Sequence, residues 1–586
     1  MPIDKRWVIK EQGNSEKVTN LAAQLNIPPV LANLLVQRGI ETYNEATRFF
    51  NPKLSDLHDP FLMKDMDRAV ERIDRAVQNG EKIMVYGDYD VDGCTAVALV
   101  YTFLRSRGHE NLTFYIPDRY TEGYGISISS IDYAERKGVS LVIALDCGIK
   151  AVEKVDYATS KGIDFIICDH HLPGDRIPEA VAVLDPKRED CHYPFDELSG
   201  CGVGFKLVQG YAQRKGIPFS EVEKLLDLVV VSTAADIVPL VGENRILAYY
   251  GLKRLNEAPR KGLHSIINIC GLDKHIITID DIVFKIGPRI NAAGRMKVDP
   301  DDPDAAPSGG HKAVEMLIER DEAMAKECSK SIDEFNQSRK SIDRNVTIEA
   351  HNIIEGSEEM KSHKSIVIYN PKWMKGIVGI VASRLIETYY KPTVVLTMSN
   401  NFATGSARSV AGFDLYQAVE SCSDLLENFG GHMYAAGLTM KPENIEEFTR
   451  RFHAYVEEHI DPALLVPQVD IDSELLFSDI TPSFRAVLSR FQPFGPGNTA
   501  PVFKTCGVSN RGDAKLVGAD REHLKMDLTQ RQKPNTTIGA IAFQQPTHFE
   551  WIRNGRPIDV CYTIVENHYR GATTPQLRVK DIKPLK

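Results

Sequence analysis

The sequence lacks a long uncharged apolar run, and this absence argues against a membrane-spanning protein. Its most apolar stretch, residues 225–241, is interrupted by Asp227 and Asp236, whereas a spanning helix needs about 18 consecutive apolar residues. The first residues, Met-Pro-Ile-Asp-Lys-Arg-Trp, do not have the basic and then apolar order of a secretory signal. With 43% hydrophobic and 26% charged residues, a mainly disordered chain is excluded as well.

Cysteine is scarce too. The chain has 10 cysteines in 586 residues, and none of them forms a Cys-x-x-Cys pair. This argues against a disulfide framework and favours reduced thiols, so we expect a cytoplasmic protein. A P-loop is also absent, because the glycine-rich segment 200–206 lacks the required spacing.

Charge is distributed unevenly along the chain. Residues 501–586 hold 14 Lys and Arg against 8 Asp and Glu, a local charge of +6, which leaves −16 for residues 1–500. An acidic body with a basic C-terminal segment suits an enzyme that gathers metal ions in one part and a polyanion in another. The length predicts two to four domains, at roughly 150 residues each.

The pattern of apolar residues predicts an α/β protein. Apolar runs of strand length alternate with helical segments, which is typical of a parallel sheet wrapped by helices. Residues 311–354 contain no glycine or proline and predict one long helix, or two, joining domains. A second α/β unit follows, with helices at 376–389 and 415–428, and the β-rich segment after residue 501 predicts a small barrel such as an OB-fold. The strand-length runs of the first unit are 82–86, 112–116, 141–145, 165–168 and 181–184.

Acidic residues follow three of these predicted strands. The carboxyl ends of parallel strands form the ligand-binding edge of an open α/β sheet, and repulsion among carboxylates there is costly unless cations neutralise them. Oxygen ligands with one or two histidines suit Mn²⁺ or Mg²⁺, held as a pair about 3.5–4 Å apart for phosphoryl hydrolysis. The residues are Asp88, Asp90 and Asp92 after the first strand, Asp146 after the third, and Asp169, His170 and His171 after the fourth.

Other interpretations of these motifs differ in strength. The segment from Asp88 to Gly93 matches the start of an EF-hand loop, but Leu99 stands where that loop requires a bidentate Glu. Any single Asp-Gly pair after a strand is more often turn chemistry than a site. A zinc site of Cys147, Cys168 and His170 would leave the acids unexplained. For Asp236, at the end of an apolar helical segment, a buried cap and a metal ligand remain equally open.

Together these motifs resemble the DHH phosphoesterase superfamily, and in particular its single-strand-specific exonucleases. The four motifs occur in order: Gly87–Gly93, Ala144–Asp146, Asp169–His171 and Asp236, with further similarity at 117–125, 287–295, 373–385, 405–409, 430–437 and 493–497. The resemblance implies an N-terminal helical segment (1–60), a parallel-sheet DHH catalytic domain (61–305), a connecting helix (306–360), a smaller α/β DHH-associated domain (361–465) and a C-terminal OB-fold β-barrel that binds nucleic acid (466–586).

The resemblance also implies roles for individual residues. Asp146 would bridge two ions, Asp88 would replace a histidine that many members have where this chain has Tyr86, Asp169 would orient His170, and His171 would act on the scissile phosphate. Met374 replaces a frequent histidine, and the acidic insert 297–310 has no assigned function. The implied metal ligands are Asp90, Asp92, Asp146, His170 and Asp236; the implied catalytic residues are Asp88, Asp169 and His171; and the implied phosphate-binding residues are Arg119, Arg289, Asn291, Arg295, Ser406, Arg408, Ser409 and His432.

The implied activity is 5′→3′ hydrolysis of single-stranded DNA to 5′-mononucleotides with two Mn²⁺ or Mg²⁺ ions, in DNA repair and recombination. We expect a monomer, with a helicase and a single-strand-binding protein as candidate partners. In the barrel, Phe503, Tyr562 and Tyr569 would either stack on bases or fill the core. Two rivals remain: a DHH enzyme for small substrates, and a binding factor without activity.

Overall fold

A computed structural model of the chain describes residues 4–296, 309–530, 533–569 and 572–585. Most of the acidic insert, residues 297–308, lies outside this described part. The chain divides into two compact units. The parallel-sheet unit contains Asn44–Ser338 and Arg490–Thr499, and the barrel unit contains Met1–Tyr43, Arg339–Ser489 and Ala500–Lys586. None of the described helices is both long and apolar enough to cross a membrane.

The N-terminal residues belong to the barrel unit. They form strand β1 (Arg6–Ile9) and helices α1 (Ser15–Leu25) and α2 (Pro29–Val36). Asn14 caps α1, because its side chain accepts hydrogen bonds from two backbone N–H groups of the first turn. Helix α2 begins at a proline, which lacks the N–H that a first turn would leave unpaired.

A five-stranded parallel sheet forms the centre of the parallel-sheet unit, as predicted. Its strand order is β3-β2-β4-β5-β6, and every residue of β2 and β4 is buried. Burial on both faces explains why these strands are continuous apolar runs. The strands are β2 (Ile83–Gly87), β3 (Leu112–Tyr115), β4 (Leu141–Leu145), β5 (Asp164–Cys168) and β6 (Ala182–Leu184), and the helices in this part of the chain are α3 (Tyr43–Phe50), α4 (Met66–Gln78), α5 (Val91–Ser106), α6 (Ile128–Arg136) and α7 (Val152–Ser160).

Further helices, α8 to α15, follow strand β6 in the parallel-sheet unit. Helix α10 is buried over almost its whole length and packs against α5, α8 and α11, which explains why its sequence has no polar face. The elements are α8 (Gly200–Arg214), α9 (Phe219–Glu223), α10 (Leu226–Ala235), α11 (Gly242–Glu257), α12 (Lys261–Ile269), α13 (Ile279–Asp281), a π-helical turn (Ile282–Ile286), α14 (Gly287–Ala293) and α15 (Gly309–Ile318).

The glycine-free segment forms two helices. The second of them, α16 (Glu322–Glu355), has 34 residues and passes from one unit into the other at residue 339. Helix α17 (Glu358–Ser362) follows it.

A mixed five-stranded sheet follows in the barrel unit, with strand order β10-β11-β9-β8-β7. The predicted helix at 415–428 is wrong in its second half. Helix α19 ends at Glu420, and residues 426–432 form a strand that pairs antiparallel with β11. Residues 426–432 pair with β11 along their length, and this long-range pairing outweighs the weak local preference for a helix. The elements are β7 (Ile366–Tyr369), α18 (Lys375–Tyr389), β8 (Thr393–Ser399), β9 (Phe402–Arg408), α19 (Leu415–Glu420), β10 (Leu426–His432), β11 (Ala435–Met440) and α20 (Ile445–His459).

The C-terminal segment folds into a closed barrel. Strand β14 pairs with β18 over its first half and with β16 over its second half, which closes the ring β14-β18-β19-β17-β16. Phe503 and Tyr562 are fully buried inside it, so they fill the core and do not stack on bases. The side chain of Tyr569 lies outside the described residues. The elements are β12 (Gln468–Ile471), which pairs with β1, β13 (Ser473–Glu474), α21 (Pro482–Ser489), β14 (Phe503–Asn510), β15 (Lys515–Val517), β16 (His523–Gln530), β17 (Lys533–Ala542), α22 (Phe549–Arg553), β18 (Ile558–Tyr569) and β19 (Ala572–Pro584).

Candidate metal centre and phosphate-binding residues

Acidic and histidine side chains converge at the carboxyl edge of the parallel sheet. Strand β4 ends directly before Asp146, and β5 ends directly before Asp169 and His170. Asp92 lies in the first turn of α5, which follows β2. Asp236 does not follow a strand; it is the C-cap of helix α10. Three strands and one buried helix therefore deliver these side chains to a single place.

His170 lies at the centre of this cluster. Its Nε2 is 3.2 Å from Asp146 Oδ1, 3.7 Å from Asp236 Oδ2 and 3.8 Å from Asp92 Oδ2. Both ring nitrogens of His170 and Oδ2 of Asp236 are buried without a hydrogen-bond partner among the described residues. Buried polar atoms are rarely left unpaired, so these atoms indicate a binding site for a ligand or an ion.

Two overlapping groups of ligand atoms fit metal ions. Asp146, His170 and His171 form one group, and Asp92, His170 and Asp236 form the other, with the atoms of each group within 4.8 Å of one another. Carboxylate oxygens with one or two imidazole nitrogens suit Mn²⁺ or Mg²⁺. The donor set therefore fits the pair of ions that the sequence motifs predict.

The electrostatics of the cluster favour a cation. Burial raises the pKa of Asp146 well above its usual range, and the nearby negative charges of Asp92, Asp90 and Asp236 raise it further. Burial also raises the pKa of Asp236 well above its usual range, again with contributions from Asp92 and Asp90. Carboxyl groups this close cannot all ionise at neutral pH unless positive charge enters the site.

The carboxylate of Asp92 is held by the start of α8. It accepts hydrogen bonds of 2.7 Å from the backbone N–H groups of Gly200 and Cys201 and from the Ser232 hydroxyl. A helix N-terminus favours negative charge. A Cβ atom on Gly200 would lie 2.5 Å from the Cβ of Asp146. Glycine is therefore required at position 200 for the helix to approach both carboxylates.

Asp169 orients His171 and not the ring of His170, which corrects our expectation. Its Oδ1 lies 2.7 Å from Nδ1 of His171, whereas from His170 it accepts only the backbone N–H. Burial alone would raise the pKa of Asp169, but the hydrogen bond and charge of His171, the backbone N–H of Ile149 and the charge of His170 together outweigh burial and lower the pKa to about 2. The Tyr124 hydroxyl lies 3.3 Å from the His171 ring and donates to the backbone oxygen of Asp146.

Asp88 and Asp90 lie beside the cluster but outside the two groups of ligand atoms described above. Asp90 is the N-cap of α5, and its Oδ1 accepts a hydrogen bond from the backbone N–H of Gly93. Asp88 is buried, and burial, followed by the charge of Asp90, raises its pKa well above the usual range. The Tyr86 hydroxyl donates to the backbone oxygen of Gly125, so this side chain is bonded away from the acids.

Two of the predicted phosphate-binding residues of this unit make internal contacts. Arg289 donates from Nε to Asp333 Oδ1 at 2.8 Å. The side-chain oxygen of Asn291 accepts the backbone N–H of Val91 and so anchors the start of α5. In this arrangement both side chains stabilise the fold around the cluster.

The other two predicted residues of the unit lie near aromatic side chains. The guanidinium of Arg119 sits 4.6 Å from the ring centre of Tyr89, a cation–π distance. The backbone oxygen of Arg295 accepts a hydrogen bond from the Tyr120 hydroxyl. Tyr89 directly precedes Asp90, so Arg119 lies close to the acidic edge of the sheet.

The barrel unit brings together the remaining predicted residues. Arg408 on β9 and His432 on β10 both pair with Ala435 of β11, so they lie in one row across three strands. Nη1 of Arg408 donates to the Ser406 hydroxyl at 2.7 Å. The Ser409 hydroxyl donates to a backbone oxygen. A guanidinium and an imidazole in one row, with the Ser406 hydroxyl bonded to the guanidinium, suit a phosphate.

Three features of the cluster escaped the sequence analysis. Tyr124 and Ser232 contact the cluster, but no role was predicted for either, although Tyr124 lies in the similar segment 117–125 and Ser232 is four residues before Asp236. Asp185 follows β6 as Asp146 follows β4, a signal that could have been used. Asp185 is buried, its Oδ2 has no hydrogen-bond partner among the described residues, and burial raises its pKa to about 7.

Comparison with known protein families identifies three domains in the chain. The DHH family N-terminal domain matches residues 82–233, the DHHA1 domain matches residues 363–458, and the RecJ OB domain matches residues 471–581. The first two matches contain the two sheets described above, and the third contains the closed barrel.

Individual relatives match over nearly the whole chain. The single-stranded-DNA-specific exonuclease RecJ of Bacillus subtilis is 36% identical over 98% of this chain and 70% of that protein. The protein of the same name from Salmonella typhimurium is 32% identical over 96% of each. The crystal structure of RecJ in complex with Mn²⁺ from Thermus thermophilus superposes with a TM-score of 0.82 at 25% identity, covering 99% of this chain and 80% of that one. The predicted architecture is confirmed by these matches.

Proposed function

Because the chain belongs to the RecJ family of single-stranded-DNA-specific exonucleases, we propose that it degrades single-stranded DNA from the 5′ end and releases 5′-mononucleotides. It is a metal-dependent nuclease of the DHH type. The observation that carries the proposal is the group of Asp92, Asp146, His170 and Asp236, whose ligand atoms lie close together and in which both His170 nitrogens and Asp236 Oδ2 have no hydrogen-bond partner among the described residues. We place this activity in DNA repair and recombination, where a helicase would supply the single strand.

Two Mn²⁺ or Mg²⁺ ions are the cofactors that this donor set fits. Asp92, Asp146, His170 and Asp236 would hold them, together with Asp90, and Asp146 would serve both ions, the role that the family resemblance implies. When bound, such ions neutralise the acids, lower the pKa of an attacking water and stabilise the charge of the leaving oxygen.

The pair of Asp169 and His171 would act on the scissile phosphate. With its Nδ1 bonded to Asp169, the His171 imidazole has a fixed orientation, and its Nε2 is left to donate to a phosphate oxygen. Burial lowers the pKa of His171, but the hydrogen bond and charge of Asp169, together with the charges of Asp92 and Asp90, outweigh burial and raise the pKa. A raised pKa favours the protonated ring, which binds an anion more strongly.

The remaining polar residues would hold the DNA backbone. Burial raises the pKa of Tyr89 to about 12, and the nearby positive charges of Arg119 and Arg295 oppose this rise. Both arginines thus lie near Tyr89, the residue before Asp90, and would contact phosphates beside the metal centre. Arg289 and Asn291 would contact a phosphate only if they gave up their hydrogen bonds to Asp333 and to the backbone of Val91. In the barrel unit, Arg408 and His432 would bind the terminal 5′ phosphate, together with Ser406 and Ser409.

The test uses the purified protein and an Asp146→Ala variant with Mn²⁺ and single-stranded DNA of about 30–40 nucleotides, longer than one barrel binding site. The DNA carries a label at its 5′ or its 3′ end, and labelled duplex is the control. We expect immediate release of the 5′ label as mononucleotide, no release from duplex and none with the variant.

Other outcomes would favour the rivals. Faster hydrolysis of dinucleotides and trinucleotides than of long strands would indicate an enzyme for small substrates. Tight binding of the strand without degradation would indicate a binding factor.

A further inference from the structure

The residue after Asp236 has an unusual backbone conformation. Ile237 has a φ of +62°, in the left-handed region, where the branched Cβ of isoleucine makes the conformation a genuine outlier. The position directly follows the C-cap of α10, a place that glycine or asparagine usually occupies. An isoleucine there destabilises the end of the helix.

Packing does not offset this strain. The side chain of Ile237 is 61% exposed, so it contributes little to the core. Strained backbone that the fold itself does not require is concentrated at functional sites. The isoleucine side chain therefore serves something outside the folded chain.

The surroundings of Ile237 indicate what it contacts. It adjoins Asp236, whose Oδ2 is 3.7 Å from His170 Nε2. Leu172, the residue after His171, is 70% exposed, and Tyr124, which contacts His171, is 54% exposed. Three exposed residues with large apolar side chains thus directly follow or contact members of a charged cluster, and apolar surface beside a few polar groups is typical of ligand sites.

On the basis of the proposed function, we propose that Ile237 packs against the base of the nucleotide whose phosphate lies at the metal centre, with Leu172 as a second apolar contact. An aliphatic side chain cannot bond a phosphate, and the base is the part of a nucleotide with a large apolar face. Contact with that face tolerates every sequence, as an exonuclease that advances along a strand requires. Ile237 is therefore a substrate-positioning residue.

The experiment compares Ile237→Gly and Ile237→Asn with the wild-type protein on two substrates. Both replacements tolerate positive φ, so we expect both variants to melt at or above the wild-type temperature. One substrate is ordinary single-stranded DNA, and the other lacks the base of the 5′-terminal nucleotide. Loss of a buried aliphatic contact lowers kcat/KM by about tenfold or more. We expect this loss on ordinary DNA and no difference between variants and wild type on the abasic strand.

Two controls separate this role from others. Ile276→Asn removes another exposed isoleucine and is expected to leave both rates unchanged. Calorimetry with Mn²⁺ alone should give the wild-type affinity for both Ile237 variants. Equal losses on both substrates, a weaker affinity for Mn²⁺, or unchanged kcat/KM on ordinary DNA would each overturn the inference. Wild-type protein that degrades neither substrate would instead refute the proposed function, and this inference with it.

Discussion

In the candidate metal centre, the backbone conformation and the neighbours of a single residue decide where its carboxylate points. Asp146 has a φ of +60°, which aspartate tolerates better than most residues because its short side chain can bond locally. The Tyr124 hydroxyl donates to the backbone oxygen of Asp146, and Gly200 leaves room for its carboxylate. Residues with no ligand atom in the cluster therefore decide where its ligands point.

The role of Asp169 in orienting His171 can be tested by mutation. Replacement Asp169→Asn removes the charge that orients His171, and we expect kcat to fall by about 10–100-fold, the usual effect of losing a supporting carboxylate. Asp175→Asn changes an exposed acid of the following loop and should leave the rate unchanged. Steady-state hydrolysis of single-stranded DNA with saturating Mn²⁺ checks both. A normal rate for Asp169→Asn would show that His171 needs no partner.

His311 makes stability depend on pH. Its ring stacks on Phe114, with ring centres 4.1 Å apart, and burial lowers its pKa to about 4. In the unfolded chain the ring takes up a proton below about pH 6.5. Its contribution to stability is therefore complete above that pH and is lost as the pH falls to about 4, by up to about 3 kcal/mol.

We expect His311→Phe to lose less stability than the wild type between pH 7 and pH 4.5, because phenylalanine takes up no proton in either state. Thermal unfolding at a series of pH values measures this difference. His192→Phe, at an exposed position, should follow the wild-type curve. Parallel curves for His311→Phe and the wild type would contradict the assignment.

At the scale of elements, the hairpin β10–β11 sets the position of His432. A Cβ on Gly431 would lie 2.2 Å from the backbone oxygen of Ala435, whereas a Cβ on Gly430 would meet nothing within 4 Å. Neighbouring glycines thus differ in whether they can accept a side chain. The close approach at Gly431 brings the two strands together just before His432.

Replacement Gly431→Ala should therefore disturb the hairpin, at a cost of about 1–3 kcal/mol, as expected for overpacking. We also expect weaker binding of DNA that carries a 5′ phosphate. Gly430→Ala is the matched control and should change neither property. Denaturant unfolding and binding of 5′-phosphorylated and unphosphorylated strands measure the effects. If both alanines behave alike, the hairpin does not position the phosphate site.

At the scale of the whole molecule, positive charge is concentrated on the barrel. Lys515 and Lys525 are exposed and directly opposite each other on β15 and β16. Like charges in this position destabilise a strand pair. A polyanion that binds there would remove the repulsion.

The double variant Lys515→Gln/Lys525→Gln should bind single-stranded DNA more weakly and with less salt dependence. Each lost phosphate contact lowers the slope of log affinity against log salt by roughly 0.7, so we expect a decrease of about 1.4. Binding is measured in the Asp146→Ala background to prevent degradation. Lys326→Gln/Lys330→Gln on α16 removes the same charge from exposed positions and should leave the slope unchanged.

The sequence by itself determined the parallel sheet and the acids at its edge. Both follow from neighbours along the chain, because a buried strand must be a continuous apolar run and the residue after it must lie at the carboxyl edge. Asp146 and Asp169 could be assigned to that edge for this reason. The basic charge of the last 86 residues is likewise visible without a structure.

Tertiary structure alone decided the features that depend on residues distant in sequence. Asp236 could have been a cap or a ligand, and only the packing of α10 brings it to His170. Which histidine Asp169 orients depends on the path of the chain after β5. Residues 426–432 became a strand because β11 pairs with them, and Tyr562 became core because the barrel closes around it. Local pattern sets what a segment can form, whereas long-range packing selects one arrangement from those choices.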